Sequence, residues 1–201
     1  MVCGGDEAGR GSVMGPLVVG AVYVEDDAFL KDIGVRDSKK LTPKSREWMY
    51  DRIVSEASDY AIVIASAADV DERRAKMSLN DVELEMFREA VSKIPVTRVY
   101  ADCPDVNEMV FSSALSIRLN NITVIGRHKA DDTYPVVSAA SIIAKVTRDR
   151  YMADMAIKYP EWQFERHKGY GTKLHYEMID KYGESPIHRH SFLRKYYEQH
   201  L

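Results

Sequence analysis

The sequence predicts an α/β fold built on a mixed sheet flanked by helices. Three observations predict it. The opening, residues 2–24, is apolar and strand-like. Two later strand-like runs, 96–101 and 122–126, alternate with helical stretches. A long Ala-, Ile- and Met-rich segment then follows Pro135. A strand-rich start followed by β-α-β alternation is the pattern of a mixed sheet covered by helices.

Residues 2–24 read as a β-hairpin or meander, with Pro16 to Val24 a buried strand. A charged loop, Arg36 to Leu41, follows. Thr42-Pro43 has the form of a helix N-cap and first helical residue, and Trp48, Met49, Arg52, Ile53 and Ala57 supply that helix's stripe. Tyr60 to Ala65 reads as a strand and 69–76 as a short helix or exposed loop. Leu79 to Ile94 reads as a helix, stopped by Pro95. Val96 to Ala101 is a strand that delivers Asp102 at its carboxyl end. A helix over 105–119, a strand over 122–126 and a polar loop over 127–132 come next. Pro135 opens the long helix and Pro160 stops it; 162–170 is an irregular basic and aromatic stretch. Helices over 172–182 and from about Phe192 close the chain.

The chain has 201 residues, 45% hydrophobic and 29% charged, enough length for one sizeable core. The expected organisation is one domain, 1–201, with a core over about 1–160 and a C-terminal helical segment over about 161–201. Internal repeats and low-complexity stretches are absent from the sequence. A formal net charge of −3 excludes a uniformly basic nucleic-acid coat, so any polyanion must meet a local patch. No apolar run reaches the ~18 residues of a membrane span, and without a charged and then apolar opening no signal peptide is expected. Two cysteines, Cys3 and Cys103, are too few for a disulfide framework or a structural zinc site, and read as core thiols of a cytoplasmic protein.

The chemistry concentrates at the start. Asp6-Glu7-Ala8-Gly9-Arg10-Gly11 sets two carboxylates against a Gly-Arg-Gly turn. Adjacent strand residues point to opposite faces. For Asp6 and Glu7 to share a site, a bulge or strand termination is therefore expected there, eased by the flanking glycines. Asp102 follows a middle strand and Asp131 lies in a loop before the long helix. Sites in open α/β sheets gather at the carboxyl ends of strands. An all-carboxylate set without a Cys/His cluster suits a hard cation such as Mg²⁺ or Mn²⁺, and a pair of such ions suits phosphodiester hydrolysis.

Five motifs then carry a family resemblance: Asp6 to Gly11, Asp37-Ser38-Lys39-Lys40-Leu41, His128-Lys129-Ala130-Asp131, Ser138 to Asp149, and His167-Lys168-Gly169-Tyr170-Gly171-Thr172. In this order and spacing the chain resembles ribonuclease HII, from its first strand to about His190. Its short form and tail are more similar to archaeal members than to bacterial ones. The start of the chain close before Asp6 is more similar to ribonuclease HII than to ribonuclease HIII, which carries an added N-terminal domain.

The resemblance implies a ribonuclease H-like fold: a mixed five-stranded sheet flanked by helices, with a C-terminal helical segment. It implies a Mg²⁺- or Mn²⁺-dependent endonuclease acting on RNA–DNA hybrids and beside ribonucleotides in duplex DNA, leaving 5′-phosphate and 3′-hydroxyl ends. It implies Asp6, Glu7, Asp102 and Asp131 as the catalytic and metal-holding acids; Asp132 reads as a solvated neighbour or a helix-start charge. Gly9, Arg10 and Gly11 correspond to the turn that approaches the ribose 2′-hydroxyl, Tyr170 to the aromatic beside that sugar, and Ser38 and Lys39 to a phosphate contact. One departure is Gly5, where the family has an apolar residue; a looser strand at Asp6 is expected. The competing readings are a non-catalytic hybrid-binding module and another nuclease of the same fold.

Lys39–Lys40, Arg127–Lys129, Lys145–Arg148 and Arg166–Lys168 are the basic clusters available for phosphates. Ser138 and Ser141 read as small packing residues, and His128, His167, His188 and His190 as surface or capping groups. In the tail, Leu193, Tyr196 and Tyr197 share a helical face and resemble the clamp-binding box of some archaeal relatives; close packing onto the domain is the competing reading. A monomer is expected.

Overall fold

The computed structural model describes residues 2–35 and 41–200, with the side chain of His200 excepted. Ser38 and Lys39 lie outside the described residues. The strands are β1 (Val2–Ala8), β2 (Leu17–Val24), β3 (Asp59–Ala65), β4 (Arg98–Asp102) and β5 (Thr123–Arg127). They form a five-stranded sheet in the order β3-β2-β1-β4-β5, antiparallel on the β3-β2-β1 side and parallel from β1 through β4 to β5. The helices are α1 (Ala28–Asp32), α2 (Pro43–Glu56), α3 (Ala67–Arg74), α4 (Leu79–Val91), α5 (Glu108–Arg118), α6 (Pro135–Lys158), α7 (Phe164–His167), α8 (Lys173–Tyr182) and α9 (His190–His200). No described helix is long and apolar enough to cross a membrane.

Local sequence accounts for most boundaries. Thr42 caps α2 by accepting the Ser45 N–H, with Pro43 as its first residue, a contribution of about 1 kcal/mol. Ser66 and Asp69 form a reciprocal capping box, which makes 67–74 a helix rather than a loop. The α2 stripe is narrower than expected. Met49 and Ile53 are buried, while Trp48 lies outside under the Arg52 guanidinium. The stretch 162–170 contains one short helix, α7, entered and left through left-handed residues, Gln163 and Lys168.

Helix α6 is the centre of one layer. Val136 to Ala144 are buried all round, because the sheet lies on one side and α1 and α2 cover the other. Small residues let it come close. A Cβ on Gly4 would stand 2.3 Å from the Val136 carbonyl, and one on Gly20 would stand 2.7 Å from the Ala140 oxygen. On the other face α4 and α5 pack Phe87 and Phe111 edge to face against Cys3, Val99 and Ala101. Both cysteines are buried in this layer.

Two expectations about β1 are corrected. The ladder runs unbroken from Val2 to Ala8 against β2, through Asp6↔Gly20 and Glu7↔Val19, so neither bulge nor termination separates the acids. Gly5 does not interrupt the strand either. It pairs with Ala21 and Ala101, and the Phe87 ring stands where its side chain would be, 3.0 Å from a Cβ.

Candidate active site

The parallel pairing of β1 with β4 brings the first acids together. Its register ends at Gly5↔Ala101, so Asp6 and Asp102 follow side by side on neighbouring strands. Neighbouring strands lie about 4.8 Å apart and matched residues face the same way. Alternation along β1 sends Gly4 toward α6 and Gly5 toward Phe87 of α4. Asp6 accordingly leans to α6, where the Ser141 hydroxyl bonds its carboxylate, and Glu7 to the α4 side, where Glu83 is its strongest charged neighbour. The two carboxyls still meet over the strand end. Ser141 is thus a site residue, not only a packing residue.

Crowding shows in the protonation equilibria. Burial, then the charges of Glu7 and Asp102, hold the Asp6 carboxyl well above its ordinary range. Burial, then Glu83 and Asp102, push Glu7 up to about 8, with Arg10 pulling the other way. Glu7 Oε2 is buried and has no hydrogen-bond partner in the structure. Among the described residues no three acidic, His or Cys side chains form a ready-made metal cage. An acid set of this kind fits a hard cation that keeps several waters and takes further oxygens from a substrate.

Asp131 enters by a different route. It is buried on a 3₁₀ turn over Ala130–Asp132, entered through Lys129 in the left-handed conformation. The turn is tied to the site because the Ala130 N–H donates to Asp102 Oδ1 at 2.8 Å. Ser138 closes it by donating to the Asp131 carbonyl oxygen at 2.5 Å. Asp132 is exposed. A cavity of about 180 Å³ is lined by Asp6, Glu7, Asp102, Ser141, Lys145 and the Gly9–Gly11 turn, with Arg148 and Tyr170 at its side. Asp131 is buried beside this cavity's Asp102 but does not line it.

The Gly9–Gly11 turn and Tyr170 meet through the chain's two ends. Ser12 bridges to Tyr170 and Met14 to His188, and Val13 N–H donates to the Gly169 carbonyl. Two buried arginines hold the backbone, Arg189 at the turn itself and Arg148 on the segments beside it, and sequence reasoning missed Arg189. Arg189 Nη1 donates to the carbonyls of Gly9 at 2.8 Å and Ser12 at 3.0 Å, and its Nε to Gly15. Arg148, expected at a phosphate, is fully buried instead. Its guanidinium donates to the carbonyls of Met14, Pro16 and Lys168 and lies over the Tyr170 ring. Gly9, at φ +91°, leaves room for it: a Cβ there would meet Arg148 Nε at 2.3 Å. A lone arginine in an exposed-looking basic run carries no signal for such a role.

Of the other basic groups, Arg127 pairs with Glu108 and Lys145 with Asp149. His167 and His188 are buried rather than superficial; with His175 they form a stack and a chain. Ser185 N–H donates to His188 Nδ1, His188 Nε2 meets His175 Nε2 at 2.9 Å, and His175 Nδ1 meets the Tyr170 carbonyl at 2.9 Å. Each bond in the chain is satisfied if His188 carries its proton on Nε2 and His175 on Nδ1. In the tail Leu193 is fully buried against Val13 and Ile179, and the hydroxyls of Tyr196 and Tyr197 bond Asp180 and Glu184. The shared face of these three residues is turned onto the domain.

The chain is similar to known proteins over nearly its whole length. The family model for Ribonuclease HII matches residues 3–195. Ribonuclease HII of Thermococcus kodakarensis is 41% identical, over 99% of this chain and 81% of that protein. The ribonuclease H2 structure from Pyrococcus horikoshii superposes with a TM-score of 0.85 at 39% identity, covering 98% of this chain and 97% of that one. A ribonuclease HII of Archaeoglobus fulgidus, solved in complex with PCNA, gives 0.86 at 34% identity, covering 94% and 92%. On matches of this extent the chain belongs to the ribonuclease HII family and is an endonuclease of the ribonuclease H type.

Proposed function

We propose that the chain hydrolyses the RNA strand of RNA–DNA hybrids and incises beside ribonucleotides in duplex DNA, leaving 5′-phosphate and 3′-hydroxyl ends. Asp6, Glu7, Asp102 and Asp131 would hold Mg²⁺ or Mn²⁺. The observation that carries this reading is the convergence of Asp6, Glu7 and Asp102 at adjoining strand ends, with one buried Glu7 oxygen accepting no hydrogen bond. A bound cation supplies positive charge against the phosphate and the departing oxygen. The chain's own groups do the rest. Ser141 orients Asp6, and Asp102, through Ala130, locks the turn that carries Asp131.

The Gly9–Gly11 backbone, stripped of carbonyl freedom by Arg189, offers a close approach to the ribose. The 2′-hydroxyl distinguishes RNA from DNA. Tyr170, 43% exposed and backed by Arg148, offers a ring beside the same cavity. Ser38 and Lys39 are proposed to contact phosphate. The protein is proposed to act as one monomeric domain in the cytoplasm. The test is cleavage of a duplex with one ribonucleotide, with and without Mg²⁺, with product ends mapped. Absence of metal-dependent incision overturns the reading.

A sliding clamp is proposed as a partner, since the relative from Archaeoglobus fulgidus was solved with one. Burial of Leu193 means that a clamp contact through Leu193, Tyr196 and Tyr197 requires α9 to lift from the domain. Binding by the intact chain, lost in a folded Tyr196→Ala/Tyr197→Ala variant, supports that contact. Binding unchanged in the variant assigns the clamp to another surface.

A further inference from the structure

We infer that Glu83 is a positioning residue for ribonucleotide recognition, acting through Arg10. This rests on the function proposed above. Glu83 lies on α4, away from every motif that carries the family resemblance, and its side chain is fully buried. Its Oε2 accepts from Arg10 Nη1 at 3.1 Å. Its Oε1 is buried with no hydrogen-bond partner in the structure. A carboxylate in such a place is costly to bury unless it holds an opposite charge, and the charge that it holds belongs to the residue between Gly9 and Gly11.

Arg10 is gripped on its second nitrogen as well. Its Nη2 donates to Asn80 Oδ1 at 2.8 Å, and Asn80 Nδ2 donates to Asp105 Oδ2 at 2.8 Å. Asp105 follows Asp102 by three residues. The Arg10 guanidinium is therefore spent on α4, which Asn80 in turn ties to the loop after β4, and is not held out toward a phosphate. One side of the turn is fixed by Arg189 through the carbonyls of Gly9 and Ser12; the other is fixed by Glu83 and Asn80 through the Arg10 side chain. With both grips in place the turn has one height over the cavity and one distance from Asp102. Glu83 sets that distance without touching substrate.

The experiment uses the full chain in Mg²⁺ with two duplexes, one carrying a single ribonucleotide and one a long RNA–DNA hybrid. Glu83→Gln, Arg10→Gln and the double variant are compared by kcat, KM and the salt dependence of binding. A positioning role predicts that both single variants lose about tenfold or more in kcat on the lone ribonucleotide, as misplaced reacting groups do. The loss on the long hybrid should be smaller, since it offers many registers. The double variant should be no worse than either single one, and the salt slope should not change. Asn80→Ala, outside the core, should lower the same ratio and stands in if Glu83→Gln melts early.

A wild-type ratio of the two activities in folded Glu83→Gln, or in Asn80→Ala, overturns the inference. So does a salt slope that falls by about one in Arg10→Gln alone, which would make Arg10 a phosphate contact. A wild-type chain inactive on both duplexes overturns the proposed function first, and this inference with it.

Discussion

Asp102 Oδ1 accepts the backbone N–H of Ala130 at 2.8 Å, so the last residue of β4 holds the turn that presents Asp131. An asparagine at 102 keeps an oxygen for that bond and loses only the charge. Asp102→Asn is therefore expected to fold and melt close to wild type while losing on the order of 100-fold or more in cleavage rate, as when a preorganised electrostatic contact is removed. Asp131→Asn should lose comparably. Asp132→Asn, at an exposed position, should stay within a few-fold. Rates in saturating Mg²⁺ beside melting curves decide it; a worse Asp132→Asn would move the fourth acid by one residue.

Tyr170 sits beside the cavity with its ring backed by Arg148 at 5.8 Å. Tyr170→Ala should cost a stacking contact, about 1–3 kcal/mol, or roughly 5–150-fold. A lone ribonucleotide offers one sugar to read, so its incision should fall further than cleavage of a long hybrid. Equal losses on the two substrates would make the ring a support for the fold only.

Cation binding should be coupled to proton release. Burial and its acidic neighbours put Glu7 at about 8, so near neutrality it must give up a proton before it can hold a cation. Affinity should rise as pH is raised toward and past that value. Calorimetric titration with Mn²⁺ in two buffers of different ionisation enthalpy counts the protons. The melting-temperature gain from Mg²⁺ should be larger at about pH 9 than at about pH 6. A gain independent of pH would remove Glu7 from the cation's ligands.

The histidine chain makes an acid-side prediction. Burial lowers His175 to about 3 and His188 to about 4, from 6.5. Between those values and 6.5 the unfolded chain binds more protons than the folded one, so falling pH favours unfolding through this pair. Their contribution is complete above 6.5 and is lost as pH falls toward 3. The raised carboxyls of Asp6, Glu7 and Glu83 act in the opposite direction. The histidines are therefore read by difference: His175→Gln/His188→Gln should lower stability at pH 7 and flatten its decline between about pH 6.5 and 4. Parallel curves for variant and wild type would contradict the neutral chain.

What the sequence determined by itself is local and periodic. The strands and long helices follow from apolar alternation and stripes, and Thr42, Pro43, Pro135 and Pro160 punctuate them by backbone chemistry that needs no partner. Asp6, Glu7 and Asp131 were legible because they sit in family-like motifs, and Asp102 because it ends a strand. Tertiary structure decided what those positions mean. The parallel β1–β4 register, not a break in β1, sets Asp6 beside Asp102. The folding of 164–190 over 12–15 brings Tyr170 to Gly9–Gly11. Arg148 and Arg189 become buried grips on carbonyls, and Glu83 meets Arg10 across a separation of 73 residues. None of these is encoded by spacing. A charged side chain reads as surface in a sequence because water is its cheapest neighbour; only the fold shows which charges have exchanged water for backbone oxygens or for each other.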